Sequence, residues 1–222
     1  MKLSKQAMLL YVVTDRAWLG EHTLAEQVEK ALKGGATFIQ LREKELDYDS
    51  FLAEAKEIKV LCERYHIPFV INDNVNVAIA CNADGVHIGQ SDMEARNVRE
   101  MLGEGKIIGV SAQTVEQAIL AEQHGADYIG VGAVFSTSTK SDADAVSQET
   151  LKAICNCVNI PVVAIGGIGA HNILELSGTG IDGVAVISAV FAQPDIRGAA
   201  EELLRLSEKM VKYENKSTAK EK

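Results

Sequence analysis

Short apolar runs recur along the whole chain, each ending in polar residues, and stretches with helical spacing lie between them. Residues 9–14 read as a buried strand followed by Asp15-Arg16, and residues 23–33 carry apolar positions at helical intervals up to the stop signal Gly34-Gly35. The next unit repeats the pattern, with a strand over 36–41 that ends in Arg42-Glu43-Lys44 and a helix over 48–65. Further strands are predicted at 68–71, 85–88, 107–110, 128–132, 162–165 and 183–187. Helices are predicted at 75–81, up to 102, and at 115–124, 147–157, 173–176 and 196–210.

Strands and helices thus alternate at about 20 to 30 residues per unit, the spacing of repeated βα modules. The strands are short and apolar on both faces, as expected where helices cover the outside of a barrel and side chains fill its interior. The expected fold is a single α/β (β/α)8 TIM barrel over residues 1–212, with an open doubly wound sheet as the main competitor. The polar segment 213–222 is expected to be a disordered tail.

In such a barrel the chemistry sits at the carboxyl ends of the strands. The residues found there are Asp15-Arg16, Gln40, Arg42 to Lys44, Asn72-Asp73, Gln90, Asp92, Ser111, Thr137, Thr139, Lys140, Gly166-Gly167 and Ser188. Asp73 and Asp92 follow adjacent parallel strands, so they should emerge at one end of the sheet and suit a metal ion. A plainer role for Asp73 is to cap the following helix. Gln40, Arg42 and Lys44 share a face if their strand continues, which would aim two cations at the barrel mouth. Those cations need either a ligand or an ion-pair network with the aspartates. Glu43 would point the other way, as a structural residue.

Gly166-Gly167-Ile168-Gly169 and Ile187-Ser188 fall in the seventh and eighth units, where many barrels hold a phosphate on backbone N–H groups. The small-polar loop from Ser136 to Lys140 ends in a cation and is long enough to close over an anion, although an ordinary exposed loop looks the same. His87, inside the fourth strand, reads as a satisfied core histidine, and neither His124 nor His171 is assigned a catalytic role.

Composition narrows the function classes. The formal charge of −9 argues against a nucleic-acid partner, because a phosphate backbone needs a basic surface. It leaves room for a small anionic substrate held by a few convergent cations. No uninterrupted apolar run has membrane-spanning length, and the start of the chain enters a strand without a signal cleavage site. These features predict a soluble, cytoplasmic protein without a membrane partner, and a homo-oligomer remains open. The four cysteines lie in apolar or helical surroundings and read as reduced packing residues.

Seven segments together resemble the thiamine-phosphate synthase family: YVVTDR, FIQLREK, FVINDNVNVAIACNADGVHIGQSD, IIGVSAQT, DYIGVGAVFSTSTK, PVVAIGGI and VAVISA. The resemblance implies a transferase that joins 4-amino-2-methyl-5-pyrimidinylmethyl diphosphate to a thiazole ethyl phosphate and releases diphosphate. By motif it implies Mg²⁺ on Asp73 and Asp92, with Arg42, Lys44, Asn72, Ser111 and Lys140 on the diphosphate. Gln40 would meet the aminopyrimidine, while Thr137, Thr139, Gly167, Ile187 and Ser188 would position the thiazole phosphate. Ser136 stands where the family commonly has proline, which bears on loop rigidity more than on chemistry.

The implied reaction suits these residues, because the attacking thiazole nitrogen carries no proton and no dedicated general base is required. A related thiazole tautomerase would need an acid/base residue and no diphosphate site, so the cations and aspartates favour the synthase. A non-catalytic sensor on the same scaffold would bind phosphates without consuming them.

Overall fold

The computed structural model describes residues 3–89, 95–136 and 145–217. Eight parallel strands close into a barrel in sequence order: β1 Leu10–Val13, β2 Phe38–Leu41, β3 Phe69–Asn72, β4 Gly85–Ile88, β5 Ile107–Ala112, β6 Tyr128–Val131, β7 Val162–Ile165 and β8 Gly183–Val186. Closure comes from β1 pairing with β8, where Tyr11 meets Ala185, so the open-sheet alternative is excluded.

Outside the barrel lie α1 Leu24–Lys33, α2 Tyr48–Tyr65, α3 Val75–Ala80, α4 Ala95–Leu102, α5 Val115–Gln123, α6 Gln148–Cys157, α7 Ser188–Phe191 and α8 Ile196–Ser217. The predicted seventh-unit helix is a 3-10 turn, Ile173–Leu176. The four-residue α7 was not predicted, being too short for a periodic signal. The backbone of α8 is helical through Ser217, past the point where the disordered tail was expected to begin.

Helix α1 shows why these segments pack as they do. Its buried residues Leu24, Gln27, Val28, Ala31 and Leu32 recur at i, i+3 and i+4, so one stripe faces the barrel. Thr23 accepts from Glu26 N while the Glu26 carboxylate accepts from Thr23 N, which starts the helix with a reciprocal cap. Each fully buried Val or Leu contributes about 1.5–3 kcal/mol, and Val28→Asp would place an unpaired carboxylate in that stripe.

Two apolar clusters result. The larger joins the outer barrel face to the helices, and a smaller one inside the barrel contains Met8, Tyr11, Val13, Phe38, Val70, Tyr128, Val163 and Ala185. All four cysteines are free thiols, with Cys62 and Cys81 buried. Among the described residues no helix is long and apolar enough to cross a membrane.

Candidate active site

The rim after β3 is built by Asn72, Asp73 and Asn74. Asn74, not Asp73, caps α3: its side chain accepts from Val77 N at 3.0 Å. The capping role considered for Asp73 is therefore corrected, since the single turn of chain places the next side chain at the helix start. Asp73 takes a left-handed backbone, φ +59°, which costs a non-glycine residue on the order of 1 kcal/mol. Its N–H donates to the His87 carbonyl at 2.8 Å, and its carboxylate accepts from Asn72 Nδ2 at 2.5 Å.

Asn72 and Asp73 line a cleft of about 450 Å³ together with Glu43, Lys44, Phe51, Val75 and Met101. The expected face shared by Gln40, Arg42 and Lys44 does not form in full, because β2 ends at Leu41 and the alternation stops with it. Lys44 is exposed and reaches the cleft from the loop that follows. Arg42 is part-buried, with its N–H held by Thr14 Oγ1 at 3.0 Å and its guanidinium 3.8 Å from Asp15. Arg42 thus pairs with Asp15 of the first strand end, an aspartate outside the ion-pair network considered for Asp73 and Asp92.

Glu43 borders the same cleft as Lys44, and its carboxylate is held in an ion-pair network. Arg16 bridges Glu43, at 2.9 Å, and Glu54, at 2.5 Å, and the Glu43 side chain is only 2% exposed. One oxygen of each carboxylate, Glu43 Oε1 and Glu54 Oε2, is buried without a donor. Burial, and then the contact with Glu54, push the Glu43 carboxyl up to about 7 against the pull of Arg16. Two buried carboxyls on one guanidinium favour a retained proton, which would also satisfy an orphan oxygen.

Inside the barrel a line of polar side chains joins the predicted site residues Gln40 and Ser111 through Tyr11, Tyr128 and His87, which sequence reading left among the core. Gln40, 4% exposed, donates through Nε2 to Tyr11 Oη at 2.5 Å, and Tyr11 Oη lies 2.7 Å from Tyr128 Oη. His87 Nδ1 is 2.9 Å from Tyr128 Oη, and its Nε2 is 2.9 Å from Ser111 Oγ. His87 is a satisfied histidine as expected, but its partners tie it to the predicted site residue Ser111. The signal available in the sequence was a pair of strand glycines. A Cβ on Gly109 would fall 2.0 Å from the Tyr128 ring and one on Gly130 3.1 Å from the His87 ring, so the missing side chains make room for these two.

On the opposite side, β7 and β8 pair Ile165 with Ala185, so the turns after them leave the barrel at one level. Gly166 and Gly167 have φ of +101° and +66°, a path glycine takes without strain. A Cβ on Gly167 would meet Ser136 O at 2.5 Å. Asn172 pins the turn, donating to Gly167 O and accepting from Gly169 N, both at 2.9 Å. Ile187 precedes α7 with no side-chain cap, and Ser188 begins that helix, where the first N–H groups lack carbonyl partners within the helix.

Predicted residues Asp92, Thr137, Thr139 and Lys140 lie outside the described residues. Among the described residues no group of three or more His, Cys, Asp and Glu side chains is arranged to hold a metal ion.

A closed parallel barrel with cations, a strained aspartate and glycine turns gathered at the strand carboxyl ends is an enzyme scaffold for small anionic ligands. The thiamine monophosphate synthase family model matches residues 10–190. A thiamine-phosphate synthase of Clostridium tetani is 52% identical over 87% of this chain and 93% of the relative. One from Ruminiclostridium cellulolyticum is 52% identical over 91% and 97%. The solved thiamine phosphate pyrophosphorylase of Pyrococcus furiosus superposes with a TM-score of 0.86 at 42% identity, covering 93% of this chain and 98% of that one. The chain belongs to the thiamine monophosphate synthase family. It is an enzyme of the transferase class with thiamine-phosphate synthase activity.

Proposed function

We propose that the substrates are 4-amino-2-methyl-5-pyrimidinylmethyl diphosphate and a thiazole ethyl phosphate, joined by a Mg²⁺-assisted dissociative substitution. The observation that carries this reading is the cleft where Lys44, Asn72 and Asp73 converge. Lys44, Asn72 and Ser111 hold the diphosphate, with Arg42 adding positive charge from its place beside Asp15 and Lys140 from the loop after β6. Gln40 faces the aminopyrimidine. Gly167, Ile187 and Ser188 receive the thiazole phosphate, with Thr137 and Thr139.

Asp73 fits Mg²⁺ by donor chemistry and by position. It is a hard-oxygen donor held at the rim by a left-handed backbone, and it opens onto a cleft with room for an anion. Mg²⁺ needs only one or two carboxylates, because water and substrate phosphate oxygens complete its octahedron. Asp73 would hold the ion with Asp92, and the ion would supply neutralising charge to the leaving diphosphate.

In the reaction the C–O bond of the pyrimidinylmethyl diphosphate breaks and diphosphate departs with the bonding pair. The benzylic-type cation left behind is stabilised by its amino-substituted ring. The thiazole nitrogen lone pair then forms the C–N bond, leaving a thiazolium with no proton to remove. The chain's own contribution is to neutralise developing negative charge with Lys44, Arg42 and hydroxyl donors and to hold the rings in line, together worth several kcal/mol.

The test combines the pure protein with both substrates and Mg²⁺ and follows release of diphosphate and formation of the C–N product. Release that requires both substrates and the metal supports the reading. Absence of Mg²⁺-dependent release overturns it.

A further inference from the structure

The chain of hydrogen bonds from Gln40 to Ser111 has a direction. Its links are Gln40 Nε2 to Tyr11 Oη, Tyr11 to Tyr128, Tyr128 to His87 Nδ1 and His87 Nε2 to Ser111 Oγ, at 2.5, 2.7, 2.9 and 2.9 Å. The two phenols are 1% and 0% exposed, and burial holds both hydroxyls well above the usual range for ionisation, so each keeps its one proton. With the Gln40 amide donating, Tyr11 uses its oxygen to accept and sends its proton to Tyr128. Tyr128 has then accepted and sends its own proton to His87 Nδ1. A neutral imidazole that accepts at Nδ1 carries its proton on Nε2. Nε2–H therefore donates to Ser111 Oγ, and the Ser111 proton is directed away from the ring.

With Gln40 Nε2 turned toward Tyr11, the reverse direction fails at the far end. If Ser111 donated to Nε2, then Nδ1–H would donate to Tyr128 and Tyr128 to Tyr11. The Tyr11 proton would face only the Gln40 N–H, a buried unpaired donor of the kind folded proteins avoid. With the Gln40 amide oriented this way, one polarity alone is consistent with all four bonds.

We propose that Tyr11 and Tyr128 lock His87 in its Nε2–H tautomer, and that His87 is thereby a positioning residue presenting the Ser111 hydroxyl as a donor to an anionic ligand oxygen. The same polarity leaves the Gln40 amide oxygen as an acceptor for a ligand amino group. Donor and acceptor at two ligand contacts are thus set by one internal relay. This inference rests on the proposed substrates for the identity of the ligands, but the relay's direction belongs to the protein without them.

The experiment uses the full chain labelled with ¹⁵N in its histidine rings, with His87→Asn identifying the His87 signals. At mildly alkaline pH, without substrates, His87 should show a pyrrole-type Nε2 and a pyridine-type Nδ1. A pyrrole-type Nδ1, or two pyrrole-type nitrogens, overturns the proposal. In Tyr128→Phe the two ring signals should move toward an average of both tautomers, and an unchanged pattern overturns the locking role. In turnover, His87→Asn keeps an amide near Tyr128 but loses the donor to Ser111, and kcat should fall about tenfold, equal to a barrier rise of about 1.4 kcal/mol. His87→Gln places an amide donor where Nε2–H stands and should recover most of that loss. Equal losses in the two variants refute the donor role. The predicted tautomer in a protein that releases no diphosphate would sink the substrate assignment and leave the relay standing.

Discussion

Gly109→Ala puts the relay's packing to a direct test. An added Cβ would lie 2.0, 2.3 and 2.4 Å from Tyr128 Cζ, Oη and Cε1. Carbon atoms in contact settle at about 3.5–4.0 Å, so the ring or strand β5 must move by about 1.5 Å. The ring has little space to retreat: it packs edge-on to Tyr11 at 5.8 Å and Phe38 at 5.6 Å and lies tilted against His87 at 5.5 Å. Overpacking of this kind costs about 1–3 kcal/mol, and each Tyr128 hydrogen bond lost adds about 1 kcal/mol. Against this stands a gain of about 0.4–1 kcal/mol from stiffening the unfolded chain. The net expectation is a loss of about 2–4 kcal/mol, or roughly 4–15 °C in Tm for a chain of this size. Gly105→Ala is the matched control, because nothing lies within 4 Å of its added Cβ. It should stay within about 0.5 kcal/mol of the parent. Thermal melts followed by circular dichroism, with urea titrations for the free energies, measure all three proteins. A Gly109→Ala protein that melts within about 2 °C of the parent and matches Gly105→Ala would refute the packing described for Tyr128.

Three further outcomes follow from the rim and the carboxyl pair. Asp73→Asn should cut Mg²⁺-dependent turnover at least about tenfold while keeping Tm within a few degrees, since Asn tolerates the left-handed backbone; unchanged turnover at limiting and saturating Mg²⁺ would remove Asp73 from the metal site. Asn74→Ala removes the α3 cap and should cost about 1 kcal/mol in a urea titration, whereas an unaltered midpoint would return the cap to another residue. Glu43, pushed up from 4.5 to about 7 by burial and then Glu54, binds its proton more tightly folded than unfolded, so its contribution to stability falls as pH rises through that window and levels off above it. Glu43→Gln keeps a neutral group there and should match the parent near pH 4.5 but exceed it at pH 8 by on the order of 2–3 kcal/mol; parallel stability-versus-pH curves would show that no proton is held.

Much of the barrel was legible because its grammar is local. Strand β4 and helix α2 were expected with the boundaries found, Gly85–Ile88 and Tyr48–Tyr65, since turn signals and apolar periodicity mark both ends. The rim was legible for a related reason: in an all-parallel barrel every strand ends at the same side, so polar residues after apolar runs must meet. Errors arose where local continuation was assumed. Extending β2 beyond Leu41 placed Lys44 on an interior face, but the chain turns there and Lys44 comes to the cleft from a loop. In Ile71-Asn72-Asp73-Asn74 three successive residues are all good caps, and only the backbone turn at Asp73 decides that Asn74 takes the role.

The relay escaped for a different reason, and that reason bears on how such sites are found. Its partners lie 29 to 117 residues apart for Gln40, Tyr11 and Tyr128, so no window along the chain contains the pattern. The strands are apolar on both faces, and a Tyr in such a run is indistinguishable from core until the barrel closes. What distinguishes it physically is that a buried phenol must find a partner, whereas Phe38 beside it needs none. A Tyr or His on an inward-facing strand position therefore asks for a second polar residue on another strand. A glycine on another strand marks the space it will fill, as Gly109 on the adjacent strand does for Tyr128 and Gly130 two strands away does for His87. Read together, Tyr11, Tyr128, His87 and the two glycines define a polar core whose hydrogen-bond direction ends at Ser111, so the packing of the interior and the chemistry of the rim are set by the same residues.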